Sequence, residues 1–210
     1  MNVLEHFGQI AQDSQLEFRP TEKGELTSYI RSENDLAISL VISLGVLDDL
    51  SPVEIASVLS VLVYEPRRNS QGSMDGVPKI IKNKVREIEH IAGDLDHIQS
   101  IEGIDAQIRV EVDIVLAVWL WGSGHSWKSL VEDTEMDDGD IIRAMRRIID
   151  LLHQLKNNPG LMLETQQKVS LAIGLLDRDL ISVNMAEERI EEIEVDENES
   201  GKGIELEVQT

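Results

Sequence analysis

The sequence lacks several features that would place it in other classes of protein. None of its 210 residues is a cysteine, so disulfide bonds, thiolate catalysis and thiolate metal sites are excluded. Its longest apolar stretch, Ile114 to Trp121, is too short to span a bilayer. The first residues, MNVLEHFGQIAQDSQLEF, lack the basic region and the long apolar stretch of a signal peptide. We therefore expect a soluble, cytoplasmic protein with no membrane partner.

Basic residues are also few, which bears on nucleic-acid binding. The chain has 19 Lys and Arg residues against 40 Asp and Glu residues, and its net charge is -21. Because affinity for nucleic acid comes mostly from cations that neutralise phosphates, any RNA contact must be local. Residues 185–210 hold ten acids and two bases, a balance of -8 that leaves -13 for the rest of the chain. We predict a mostly disordered acidic tail over residues 184–210, for which a solvated spacer is the simplest role.

Motifs for catalysis and for nucleotide binding are missing as well. The sequence contains no Gly-x-Ser-x-Gly, His-Glu-x-x-His or Gly-x-Gly-x-x-Gly pattern. Gly201 and Lys202 are followed by Gly203 rather than by Ser or Thr, so they do not form a phosphate-binding loop. We expect no catalytic residue and no cofactor in this chain, and no hydrolysis of nucleotides by the chain alone.

One group of side chains has the composition of a metal site. His90, Asp94 and His97 follow Glu87 by three, seven and ten residues, which puts all four on one face of a helix. In di-metal bundles, however, such carboxylate and histidine pairs come from separate helices that converge on the core. A solvated polar face is therefore the favoured interpretation, and we predict no metal site.

Apolar residues recur at helical spacings along most of the chain. Ser51-Pro52-Val53-Glu54 forms a capping box with proline at the first helical position, and it opens the helix IASVLSVLVYE. The polar stretch Arg67 to Gly76 is predicted as a loop. Further helices are predicted at Asn34 to Leu47, where Gly45 suits a termination, and at Pro78 to Ile98, Gln107 to Trp121, Ser126 to Val131, Ile141 to Lys156 and Leu163 to Leu180, with a turn at Thr134 to Asp140. Because no convincing alternating strand occurs, we predict an all-α helical bundle.

Two tryptophans lie beside an abrupt bend. Trp119 and Trp121 precede a Gly-Ser-Gly-His-Ser segment that leads to Trp127. Aromatic side chains that fix the corner between two helices are favoured over base stacking. The stretch from Trp127 to Leu155 has the outline of a helix-turn-helix, but its acidic turn would face phosphates, which argues against a DNA reader.

The helix predicted at Ile141 to Lys156 carries an unusual polar face. At 100° per residue, Arg143, Arg147, Asp150 and Gln154 form one narrow stripe with Arg146 beside it, and apolar residues cover most of the remaining surface. Like charges four residues apart repel by a few tenths of a kcal/mol, so a purely structural helix has little reason to keep this pattern. The alternative is a solvated stripe that contains an Arg146–Asp150 ion pair of small value.

Three ordered segments resemble a known family. They are PTEKGELTSYIRSENDLAISLVISLGVLDDLSPVEIASVLSVLVYE, VDIVLAVWLWGSGHSWKSL and DDGDIIRAMRRIIDLLHQL. Together they resemble the DSHCT domain, the C-terminal helical domain of superkiller-type and exosome-associated DExH-box RNA helicases. The resemblance covers about residues 18–183 and implies a ratchet-type helical bundle, preceded by a lead-in segment at residues 1–17.

The resemblance also implies a function and partners. In that family the bundle packs against two RecA-like motor domains, and one long helix lines the exit path of single-stranded RNA. The resemblance implies that Ile141 to Leu155 is this helix, with Arg147 and Asp150 at positions that contact RNA bases in relatives. We predict RNA contacts for the whole polar face, Arg143, Arg146, Arg147, Asp150 and Gln154, which would explain why the arginine repulsion is tolerated. ATP and magnesium would bind the motor domains, which this chain lacks. The alternative is a protein-interaction module that kept the bundle and lost the RNA role.

Overall fold

The structure is a computed structural model that describes residues 3–65 and 73–178. The chain divides into two compact units, Met1–Leu176 and Asp177–Thr210, and the described helices and strands all belong to the first. The predicted tail at 184–210 and most of the predicted loop at 67–76 lie outside the described residues.

In the described ranges, no helix has the length and apolar character needed to cross a membrane. The helices are α1 (Val3–His6), α2 (Glu22–Ser28), α3 (Asp35–Ser43), α4 (Pro52–Leu59), α5 (Lys79–Ile101), α6 (Val115–Gly122), α7 (Trp127–Thr134), α8 (Asp138–Lys156) and α9 (Leu163–Leu176).

The predicted all-α class is confirmed, with one small exception near the N-terminus. Strand β1 (Ile10–Gln12) pairs antiparallel with strand β2 (Phe18–Pro20) in a hairpin that was not predicted from the sequence. Asp13 closes the turn between them, because its Oδ1 accepts hydrogen bonds from the backbone N–H groups of Gln15 and Glu17, at 2.8 and 3.0 Å. Strands of three residues are too short to show alternation, and both are mostly exposed.

Helices α3 and α4 form where the sequence predicts them. Helix α3 ends at Ser43, and Gly45 follows at a φ of +72°, which glycine adopts at no steric cost. The predicted capping box is present at the start of α4, where the Ser51 backbone N–H donates to Glu54 Oε2 at 2.8 Å. Helix α4 then tightens into a short 3₁₀ helix at Ser60–Leu62. This 3₁₀ helix leads the chain to Val63–Glu65 beside α8.

The predicted helix at Gln107 to Trp121 is wrong in its first half. Only Val115–Gly122 is helical, and residues 104–112 have no regular secondary structure. The Ile108 N–H donates to Asp96 Oδ1 at 2.8 Å, and the Glu111 N–H donates to the Val61 carbonyl at 2.9 Å. These bonds to α5 and to the 3₁₀ helix replace the helical bonds that the segment would otherwise make.

Helix α8 begins earlier than predicted. It starts at Asp138, so the predicted turn at residues 134–140 is limited to three residues after α7, with Glu135 in the left-handed region at a φ of 53°. The apolar face of α8 is buried as its spacing predicts. Its buried residues are Ile141, Ala144, Met145, Ile148, Ile149, Leu151, Leu152 and Leu155.

Helix α9 holds the bundle together, since it packs against α8, α4 and α6. Helix α4 also packs against α6 and α5. A close approach between α6 and α4 depends on Gly122, because a Cβ there would lie 2.8 Å from Cγ1 of Val53.

At the bend after α6, the rings of Trp121 and Trp127 meet edge to face with centroids 5.6 Å apart, which supports their interpretation as corner-fixing side chains. Helix α8 is thereby held with its polar stripe directed away from the core.

Candidate nucleic-acid interface

Part of the polar stripe of α8 forms one wall of a groove of about 840 Å³. Arg147, Asp150 and Gln154 line this groove, which is three of the five residues predicted from the sequence. The opposite side comes from the segment before α3, from the residues after the 3₁₀ helix, and from the irregular segment before α6. The other lining residues are Arg31, Ser32, Glu33, Asn34, Leu62, Val63, Tyr64, Glu65, Gln99, Ala106, Gln107, Ile108, Arg109 and Leu151.

Arg147 is held at the groove by the chain that follows the 3₁₀ helix. Its Nη1 lies 2.9 Å from Oε2 of Glu65 and donates to the Val63 carbonyl at 3.5 Å. Nearly half of each charged side chain remains exposed, 49% for Arg147 and 45% for Glu65. The hydrogen bond from Arg147 is the main cause that lowers the pKa of Glu65 from its ordinary value. The pair is therefore fully charged at neutral pH.

Gln154 joins α8 to the segment before α3. Its Oε1 accepts a hydrogen bond of 2.6 Å from the backbone N–H of Arg31. This contact fixes the end of the groove. The carbonyl oxygen of the Gln154 side chain is used within the protein, and its NH₂ group can donate hydrogen bonds. Asp150, one turn before Gln154, is exposed at the same wall.

The remaining two predicted residues are not in the groove. Arg143 forms an ion pair with Asp140, one turn earlier on the same helix, and Arg146 is only partly exposed outside the lining. Arg143 and Arg147 each have a carboxylate partner, Asp140 and Glu65 respectively. Their repulsion is thus offset within the protein, and it does not by itself require RNA.

Several groove residues were not predicted from the sequence. Arg31, Glu33, Glu65 and Arg109 come from three segments that lie far from α8 in the chain. Together with Arg147 and Asp150 they give the groove three cations and three anions, which is a neutral balance in a chain whose net charge is -21. No local pattern marks them, because only the fold brings these segments to α8.

Tyr64 contributes a hydroxyl that stays protonated. Its side chain is largely buried at the groove wall, and burial raises its pKa to about 12, with a smaller contribution from the negative charge of Asp140. Burial likewise raises the pKa of nearby Asp113. Tyr64 therefore remains a neutral donor and acceptor at any physiological pH.

The sequence matches a described family over most of its length. Residues 17–184 match the DSHCT (NUC185) domain, which confirms the resemblance. The chain is 30% identical over 164 residues to the DExH-box ATP-dependent RNA helicase DExH15 chloroplastic of Arabidopsis thaliana, in an alignment that covers 76% of this chain and 14% of that protein.

Two further relatives are less similar to this chain. The ATP-dependent RNA helicase mtr4 of Schizosaccharomyces pombe is 24% identical over 186 residues, which are 85% of this chain and 16% of that protein. The probable helicase HelY of Mycobacterium tuberculosis is 25% identical over 179 residues, which are 78% of this chain and 19% of that protein. The chain thus spans less than a fifth of the length of these relatives. Since the family match extends from strand β2 through every helix from α2 to α9, the chain belongs to the DSHCT domain family.

Proposed function

We propose that this chain is the RNA-guiding helical domain of an ATP-dependent DExH-box RNA helicase, and that it contacts single-stranded RNA through α8. It works with a RecA-like motor, either joined to it or acting beside it. The relatives are named as RNA helicases, and the chain corresponds to only a small part of each. ATP and magnesium belong to the motor, since the sequence has no phosphate-binding loop.

The observation that carries the proposal is the shared position of Arg147, Asp150 and Gln154 at one groove. A guanidinium binds phosphate, and a carboxylate and an amide can read the edges of unpaired bases. Arg31 and Arg109 add positive charge on the other side of the groove. The groove therefore has chemistry for both the backbone and the bases of a single strand.

The negative charge of the chain limits RNA binding to a strand that the motor delivers to the groove. With a net charge of -21 and a groove whose charges balance, the isolated chain attracts RNA poorly from solution. A motor that delivers the strand raises its effective concentration at the groove, so weak contacts suffice. Binding by the isolated chain should be weak, and it should weaken further as the salt concentration is raised.

A second candidate function is a protein-interaction module without an RNA role. It is favoured by apolar side chains exposed at and just before α9, where Met162, Leu163 and Leu171 are each more than 60% exposed. In that case the charged groove would be a solvated surface, and the partner would cover α9.

Photo-crosslinking separates the two candidates. The chain would be irradiated at low salt with an oligouridine of about 12 nucleotides that contains 4-thiouridine, within the size range of single-strand sites. We expect cross-linked peptides from residues 31–34, 62–65, 106–109 and 147–154, and weaker labelling in an Arg147→Ala variant. Arg86→Ala, which removes an exposed arginine of α5 outside the groove lining, is the matched control. Labelling spread evenly over the surface, or unchanged in Arg147→Ala, would contradict an RNA-guiding groove.

A further inference from the structure

The ion pair between Arg147 and Glu65 occupies the cation that the proposed function needs for RNA. The contacts of the guanidinium with Oε2 of Glu65 and with the carbonyl of Val63 use the same nitrogen, Nη1. The pair is thus single-pronged, and it is also half exposed to water. A bidentate arginine contact is the stronger geometry, and an exposed pair of this kind contributes little free energy.

We propose that Glu65 is an internal competitor for RNA phosphate, which holds Arg147 until a delivered strand displaces it. This inference rests on the proposed function of the groove. A carboxylate and a phosphodiester each present a pair of anionic oxygens to a guanidinium, so one can replace the other. The exchange favours a delivered phosphate, because the pair that is lost is weak and the bidentate phosphate contact that replaces it is stronger.

A second cation belongs to the same exchange. Arg109 lines the groove from the irregular segment before α6. The pKa of Glu65 is lowered chiefly by the hydrogen bond from Arg147, and the charge of Arg109 makes a smaller contribution in the same direction. Glu65 therefore lies in the field of two arginines from different elements, as a bound phosphate would. When a phosphate displaces Glu65, it gains both cations.

The competition with Glu65 favours RNA that a motor delivers over RNA that is free in solution. Free RNA at low concentration must compete with a carboxylate that is always present beside Arg147. A strand threaded by a motor reaches an effective concentration in the millimolar range, at which a several-fold competition is easily overcome. Glu65 thus lets the groove hold a strand in transit while it discourages capture of unrelated RNA.

The test is the affinity of the full chain for a fluorescein-labelled oligouridine at low salt, measured by anisotropy. Glu65→Gln removes the charge and keeps the size of the side chain, and we expect about three- to tenfold tighter binding, the exchange of a contact worth about 1 kcal/mol. Glu87→Gln is the matched control, since Glu87 is also half exposed, pairs with Lys84 at 3.4 Å and lies outside the groove lining. This variant should bind less than twofold more tightly. In Glu65→Gln/Arg147→Ala the gain should disappear.

The outcomes are distinct. If Glu65→Gln binds no more tightly than Glu87→Gln while Arg147→Ala still weakens binding, the competitor role is wrong and the groove remains an RNA site. If Glu65→Gln and Arg147→Ala both behave like the wild-type chain, the groove does not bind RNA, and the proposed function fails with the inference. A gain that persists in the double variant would show that Glu65 acts only through overall charge, which also overturns the proposal. Thermal melts of each variant check that the fold is retained.

Discussion

The indole N–H of Trp121 donates a hydrogen bond of 2.8 Å to the backbone carbonyl of Leu176, and so joins the end of α6 to the last turn of α9. Trp121 is only 5% exposed, and its ring packs edge-on against Trp127. Because α9 also packs against α8, this bond helps to fix the positions of the helices that support the groove. The corner between α6 and α7 is thus structural, which agrees with its interpretation from the sequence.

Trp121→Phe should destabilise the fold by about 1 to 3 kcal/mol, because the carbonyl of Leu176 loses a buried donor and the smaller ring leaves a gap. The free energy of unfolding, measured by urea denaturation, checks this. Trp119→Phe is the control, since that side chain is only partly buried. Equal effects of the two substitutions would contradict the role of the hydrogen bond.

Removal of residues 185–210 should leave the fold intact. The first compact unit ends at Leu176, and the family match ends at residue 184. We expect the shortened chain to keep its helical circular dichroism and a cooperative melt within a few degrees of the full chain. A broad, non-cooperative melt would show that the acidic segment contributes to the core.

Ionisation of Tyr64 should weaken the fold at high pH. The pKa of Tyr64 is raised from 10.0 to about 12, so the unfolded chain loses this proton first. Its contribution is fully present below pH 10 and falls as the pH rises towards 12. Each unit of pKa corresponds to about 1.4 kcal/mol. Urea denaturation across this pH range should give a shallower loss of stability for Tyr64→Phe than for the wild-type chain; parallel losses would contradict the prediction.

Asp150 should affect RNA differently from Arg147. Its carboxylate repels phosphate but can accept from the exocyclic amino group of cytosine, which uracil lacks. We expect Asp150→Ala to bind oligouridine about twofold more tightly and to lose part of any preference for oligocytidine. Asp94→Ala removes an exposed carboxylate of α5 outside the groove lining and is the control. An unchanged ratio of the two affinities in Asp150→Ala would place Asp150 away from the bases.

The parts of the fold that repeat a helical pattern could be predicted from the sequence. Helix α8 follows from its apolar spacing, and the start of α4 follows from its capping box, because both signals are local. The error at residues 107–114 has a physical reason. Ile108, Val110 and Val112 alternate as in extended chain, but over so few residues this pattern cannot be distinguished from a helical one.

The candidate site could be predicted only on the side that α8 provides. A helical wheel groups Arg147, Asp150 and Gln154 because their spacing is regular. The wheel also groups Arg143 with them, but Asp140 holds that side chain one turn away. Glu65 and the other residues of the opposite wall depend on tertiary packing between distant segments, for which one sequence has no signal.

Arg147→Ala tests most directly whether Arg147 contacts RNA or stabilises the fold. RNA affinity and the free energy of unfolding would be measured on the same preparation. We predict that binding of single-stranded RNA at low salt weakens about tenfold, the loss of one charge-assisted contact, while the free energy of unfolding changes by no more than about 0.5 kcal/mol. Arg86→Ala should change neither quantity beyond a small charge effect. A loss of stability of about 2 kcal/mol or more in Arg147→Ala, or an RNA affinity equal to that of Arg86→Ala, would contradict the account.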